Sequence, residues 1–173
     1  MTIAQSLLPE FDQEMAGTRK MFERLPEDKL EFRPDPKSMA LGRLAGHIAE
    51  MPNWGAVTIA TDSFDVLPGG KQEYEALTAK SRTQVLEAFD KNVSEMRAAL
   101  SGATDEHLMK EWKLLVNGQT SLAMPRAAVI HGLVMSHLIH HRAQLGVYYR
   151  MIPLPALYGP SADEGQMGGG AAA

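Results

Sequence analysis

Four of the six histidines in this 173-residue chain fall between Ile130 and Arg150, in the run IHGLVMSHLIHHRAQLGVYYR. His137 and His141 are four apart, so on a helix their side chains lie about 40° from each other around the axis and one turn apart. Two imidazoles in that arrangement can grip one metal ion. They can equally be hydrogen-bonded interior histidines, and the pair alone leaves both readings open. His140 points about 60° from His137 on the other side. On the same helical wheel Ile130, Leu133, Val134, His137, His141, Gln144 and Tyr148 share one stripe. It begins apolar and turns polar at the histidines, as expected of a helix facing a core that opens into a site.

Composition narrows the chemistry. There is no cysteine, so disulfides and thiolate ligands are excluded and any metal must be held by His, carboxylate and water. The formal charge of −4, with Lys and Arg scattered, gives no basic footprint for nucleic acid. The length fits one domain with a real core. The N-terminus lacks a basic region followed by an apolar run, and no segment approaches the apolar length of a membrane span. A cytoplasmic protein with no membrane partner is the expectation.

Elements able to position the histidines are mostly helical. Ala4, Leu8, Phe11, Met15, Thr18, Phe22 and Leu25 recur in steps of four and three, an amphipathic first helix that Pro26 closes. Pro9 leaves its start open. A second helix opens near Ser38 and carries Ala40, Leu44, His47, Met51, Trp54 and Thr58 inward, and Pro52 is expected to kink it. Pro68-Gly69-Gly70 marks a turn. The third helix is expected from Tyr74 or Thr78 to Leu100, closed by Ser101-Gly102. Thr104 to His107 reads as a capped turn, and Trp112 to Thr120, with Asn117-Gly118, as a small hairpin or ordered loop. The fourth helix begins near Pro125 and ends before Pro153. The expected fold class is therefore all-α, a four-helix bundle with a short irregular or hairpin-like connection between helices three and four. Residues 1–164 form the bundle, and residues 165–173 a Gly/Ala-rich flexible tail.

Facing helices of a bundle commonly build a metal site. His47, mid-stripe on helix two, can join His137 and His141, mid-stripe on helix four. Three neutral imidazoles would leave positions open for water or substrate. The second-helix run Lys37-Ser38-Met39-Ala40-Leu41-Gly42-Arg43-Leu44-Ala45-Gly46-His47, followed by Trp54, resembles a motif of the DinB-like (DinB/YfiT) superfamily. So does His137-Leu138-Ile139-His140-His141-Arg142-Ala143-Gln144-Leu145, its C-terminal His-x3-His motif. Pro155 and Tyr158 to Glu164 are similar to a tail found in many members. Ala143 stands where many members carry Gly, a change that favours helix.

The resemblance implies a four-helix bundle, often dimeric, with a divalent metal on His47, His137 and His141. His140 matches a position that is not normally a ligand. Zn or Ni leads as the ion, with Mn or Fe as alternatives. Characterised relatives include thiol-dependent transferases and isomerases, so the leading expectation is a metal-dependent enzyme such as a low-molecular-weight-thiol S-transferase acting on a small-molecule substrate. Its alternatives are a metal-dependent hydrolase, or a non-enzymatic stress-associated bundle whose metal is structural. No catalytic or thiol-binding residue is assigned.

Glu50 lies about 60° off the His47 direction; it either supports a ligand or acts as a base, and a solvated carboxylate is the plainer reading. Gln144 and Tyr148 are candidate pocket residues or ordinary interhelical packing. Arg142 reads as a surface or interface residue, His107 as solvated, and His131 as flanking the helix. Gly132, Met135, Ile139, Ala143 and Gly146 lie opposite the histidines, an uncharged face that suggests a homodimer.

Overall fold

The structure is a computed structural model that describes residues 1–152. The expected tail at 165–173, the bundle's expected end at 164 and the motif from Pro155 to Glu164 lie outside those residues.

Helix α1 (Ile3–Phe22) starts in a capping box: Thr2 accepts from the Gln5 amide and Gln5 reaches back to the Thr2 amide, satisfying two of the orphan donors of a helix start. Pro9 sits inside it. Helix α2 (Leu41–Ala60) has no side-chain cap. Its first amides instead donate to the chain before it, Leu41 to the Phe32 carbonyl and Gly42 to that of Leu30. The helix runs through Pro52. Helix α3 (Arg82–Gly102) is capped by Ser81, which accepts from Gln84.

Helix α3 starts later than its periodicity suggests, because the residues before it are pulled away. The Ala79 amide donates to the Gly42 carbonyl, Arg43 Nη1 reaches the Leu77 carbonyl at 3.0 Å, and the Leu77 amide donates to Glu50. This extended strap lies directly on α2. A Cβ at Gly46 would stand 2.0 Å from the Leu77 carbonyl oxygen, and one at Gly42 2.8 Å from that of Ala79. Gly42 and Gly46, one turn apart, are therefore what lets the strap approach.

After the short helix α4 (Asp105–Met109), strands β2 (Glu111–Val116) and β3 (Gln119–Pro125) form the expected hairpin. Asn117 and Gly118 take φ of 51° and 76°, the left-handed pair that a tight hairpin turn requires. A strand the periodicity does not announce joins it: β1 (Ser63–Asp65) pairs parallel to β2 and completes a sheet of order β1-β2-β3. The Asp65 carboxylate accepts from the amides of Asn117 and Gly118 at 3.0 and 2.7 Å, tying the hairpin tip to β1. The all-α expectation is thus corrected: the chain is mostly helical with a small three-stranded sheet.

The last long segment is three pieces in line: α5 (Arg126–Val129), a π-helical stretch (Ile130–Ser136) and α6 (His137–Met151). Helix α2 packs on α3 and α6, and α1 on the same two. Phe22 and Phe89 meet edge to face at 5.1 Å in the α1–α3 seam. Arg142, expected at the surface, is buried: its Nη2 lies 2.5 Å from Glu14 Oε2, and its Nη1 donates to the Glu14 carbonyl and Thr18 hydroxyl. It bolts α6 to α1, one residue after His141.

Candidate metal centre

His47 arrives on α2 and His137 and His141 on the first turn of α6, and their imidazoles converge. One nitrogen from each lies within 4.8 Å of the others. His140 is not part of the cluster; it is exposed and receives a hydrogen bond from Gln144 Nε2 at 3.1 Å.

The His141 tautomer follows from its neighbour. His141 Nδ1 meets Gln144 Oε1 at 2.7 Å, and an amide oxygen can only accept, so Nδ1 carries the proton and Nε2 a lone pair. The Leu133 backbone lies close to the His137 ring and favours its protonated form. The Nε2 atoms of His137 and His141 face each other at 2.9 Å: in one His137 tautomer its Nε2–H donates to His141, and in the other both Nε2 lone pairs point into the space between the rings. His47 brings a third ring nitrogen within the same 4.8 Å, and its buried Nδ1 has no hydrogen-bond partner among the described residues. Buried polar atoms are almost always paired. Three imidazoles converging in this way are the donor set of a divalent metal, and the cluster can hold one. Gln144 then does what an outer partner of a metal histidine does, fixing tautomer and ring orientation.

The electrostatics agree. Burial, and after it the nearby His141, Arg43 and His137, bring His47 down to about 4. Burial lowers His137 and His141 too, with the Leu133 and Gln144 hydrogen bonds pulling the other way. All three imidazoles are neutral near pH 7, as ligands must be.

Beside the cluster lies a cavity of about 390 Å³ whose wall includes His137. Trp54 stands between, its ring 5.4 Å from that of His47 and 5.8 Å from that of His137. The far wall comes from the sheet, through Phe64, Trp112 and Leu114.

Several residues sit elsewhere than the sequence suggests. Glu50 is buried rather than solvated, accepting from the Leu77 amide and lying 3.3 Å from Arg43 Nη1. Its carboxylate also receives the Tyr74 hydroxyl, and burial together with that contact pushes the phenol up. It holds the strap and is not aimed at the ligands. Tyr148 packs on Phe32 and donates to the Met39 carbonyl at 3.0 Å, so it is not a pocket residue. His107 is tied rather than solvated, its Nε2 2.7 Å from the Ile59 carbonyl at the end of α2. His131 is exposed. On the face assigned to a partner, Met135 and Gly146 are buried within the chain, while Gly132 and Ala143 are exposed. The π-helical stretch accounts for Met135. Its wider turn breaks the constant step on which a helical wheel depends.

Arg126 was missed altogether. Its guanidinium is 1% exposed, yet all five N–H groups are used: Nε on the Thr58 carbonyl, Nη1 on those of Lys110 and Glu111, and Nη2 on the Thr61 carbonyl and Asp62. It joins the end of α2, the sheet and the start of the last helical segment. A Pro-Arg pair at a strand–helix junction is the only hint the sequence carries.

Fold and site together define a mostly helical protein that gathers three imidazoles next to an apolar cavity. A family model described as the DinB superfamily matches residues 10–145, and the chain belongs to that superfamily. Its fold is shared with a DinB-like protein, YjoA, of Bacillus subtilis, at 20% identity and a TM-score of 0.67 over 92% of this chain and 99% of that one. A DinB-like protein of Bacillus cereus is similar at 24% identity and a TM-score of 0.63, over 89% and 97% of the two chains. The uncharacterized protein YrdA of Bacillus subtilis is 24% identical over 160 residues, 91% of this chain and 89% of that protein.

Proposed function

We propose that the protein is a metal-dependent enzyme with its ion on His47, His137 and His141. The observation that carries this is the convergence of three imidazoles, one nitrogen of each within 4.8 Å of the others, with the His137 and His141 Nε2 atoms 2.9 Å apart. A divalent ion held there, Zn or Ni first, would lower the pKa of a coordinated thiol or water and hold the conjugate base for attack on an electrophile.

Among the described residues no fourth Asp, Glu, Cys or His joins the cluster, and an apolar cavity reaches His137. Both favour a reactive centre over a metal that only staples the helices. The chain's own contributions are plain. Gln144 fixes the His141 imidazole, Trp54 and the sheet exclude water, and Arg142 holds α6 in place. Hydrolysis would need a base at the cavity, and the carboxylate nearest in sequence to His47, Glu50, is engaged by Leu77, Arg43 and Tyr74. Thiol transfer needs no such base, so a low-molecular-weight-thiol S-transferase is the preferred activity.

Metal content of protein purified without chelator or nickel resin tests the reading, with His137→Ala as control. About one ion per chain, absent from the variant, is expected and would justify a thiol-transfer screen. No metal in either protein after reloading would remove the basis for an enzyme. We also propose a homodimer through the exposed side of α6, where Ala143 and Val147 lie one turn apart; a monomer by light scattering at micromolar concentration would sink that part.

A further inference from the structure

The cavity has a chemistry of its own. Its wall is made by three elements that the helices alone would not supply: the sheet, the strap and the π-helical stretch. Phe64 and Leu114 are register partners on β1 and β2 and line it together. Val57 and Trp54 come from α2, and Leu133 from the stretch before His137. Asn53 adds a side-chain amide to the wall, and most other polar atoms there face protein groups. Trp112 Nε1 donates to the Thr61 hydroxyl at 3.1 Å. The Thr58 hydroxyl donates to the Trp54 carbonyl at 2.8 Å. The Tyr74 hydroxyl lies near Glu50 and the Trp54 indole. The indoles and the phenol offer ring carbons to an occupant. Among the described residues no Lys, Arg, Asp or Glu lines the space.

We propose that this cavity binds a neutral, largely apolar molecule about the size of a substituted naphthalene, with its polar, reacting group toward His137. The volume of about 390 Å³ falls in the range of small-molecule sites. A charged body would lose its hydration there without a partner, which costs several kcal/mol in an apolar environment. Ring-on-ring contact with Trp54, Trp112 and Phe64 favours an aromatic occupant. The polar end is set by the only metal-ligating residue in the wall, His137. That orientation rests on the metal-centre reading; the apolar occupancy does not.

The chain's two tryptophans both line the cavity, so its occupancy can be read from their emission. Metal-free protein is titrated with the neutral probe N-phenyl-1-naphthylamine and, in parallel, with 8-anilino-1-naphthalenesulfonate, nearly the same skeleton carrying an anion. Saturable binding of one neutral probe per chain, with energy transfer from tryptophan, is expected, and the sulfonate should bind at least tenfold more weakly. Phe64→Lys, at a position 40% exposed and so tolerant of the change, should weaken the neutral probe at least tenfold with an unaltered circular dichroism spectrum. Leu114→Glu is the second variant and should act alike. His47→Ala, which removes a ligand that does not itself line the cavity, should leave probe binding intact. Non-saturable binding, equal binding of both probes, or indifference to both wall substitutions would overturn the proposal. Probe binding without metal loading would leave the cavity standing and the metal centre fallen; metal loading without probe binding would do the reverse.

Discussion

Arg126 and the histidine cluster are both groups of polar atoms set into the protein, and they differ in how their hydrogen bonds are completed. Arg126 has five donors and five acceptors, all protein, all made. The cluster brings three imidazole nitrogens within 4.8 Å of one another, and the buried His47 Nδ1 has no partner among the described residues. A buried group that the protein satisfies in full holds structure. One that the protein positions and then leaves unsatisfied is shaped for something else to arrive. Burial and polarity alone do not separate the two cases; counting partners does.

The comparison can be broken most forcibly at Arg126. Arg126→Ala leaves the carbonyls of Thr58, Thr61 and Glu111 without the guanidinium's hydrogen bonds, while that of Lys110 keeps the backbone amide of residue 126, and at the usual penalty for unmade buried bonds the loss should be about 3 kcal/mol or more. Urea denaturation reads it. Arg126→Lys should recover little, because an ammonium cannot span a fork of five acceptors. Substitution in the cluster should do the opposite: His137→Ala should abolish metal uptake while leaving the metal-free fold close to its original stability. Gln144→Ala keeps the ligands but frees the His141 ring, and the expected loss of metal affinity is about 10- to 100-fold, measured by competition with a chelating dye. If Gln144→Ala bound metal unchanged, its hydrogen bond would be packing and nothing more.

The smallest effect is that of acid. Burial brings His47 down to about 4 in the folded protein, against about 6.5 for a free imidazole. Below pH 6.5 the unfolded chain therefore takes up a proton that the folded chain refuses until near pH 4. Stability of the metal-free protein should fall as pH drops across that window and the His47 contribution should level off beneath it. His47→Gln should flatten part of that slope in a series of urea midpoints.

Much of this was legible in the chain. His47, His137 and His141 stand on helical stripes, and the stripes put them together. The Asn117-Gly118 turn was readable because few residue pairs accept two positive φ values. The strap was not, because Tyr74 to Lys80 carries residues that suit a helix. What holds it extended is a set of hydrogen bonds to Gly42, Arg43 and Glu50, distant in sequence. The spacing of Gly42 and Gly46 was a signal of close approach that went unused. Strand β1 escaped notice because three residues make too short a pattern for alternation. Arg142 reads as surface, and Arg126 draws no notice, for one reason: a long cation looks like surface until its partners, Glu14 and a ring of carbonyls, are seen around it.

The π-helical stretch Ile130–Ser136 sits between the Arg126 node and His137. A π turn amounts to one residue more than an α-helical path would need. Removing one residue from that stretch would let it relax to α-helix with its two ends nearly where they stand, whereas adding one to the α-helical turns beside it would rotate one end against the other by about 100° and lengthen the span by about 1.5 Å. In the second case either the guanidinium would lose its carbonyls or the imidazoles would lose their convergence. The extra residue is slack, so a single deletion within Ile130–Ser136 should be better tolerated than a single insertion between Arg126 and His137.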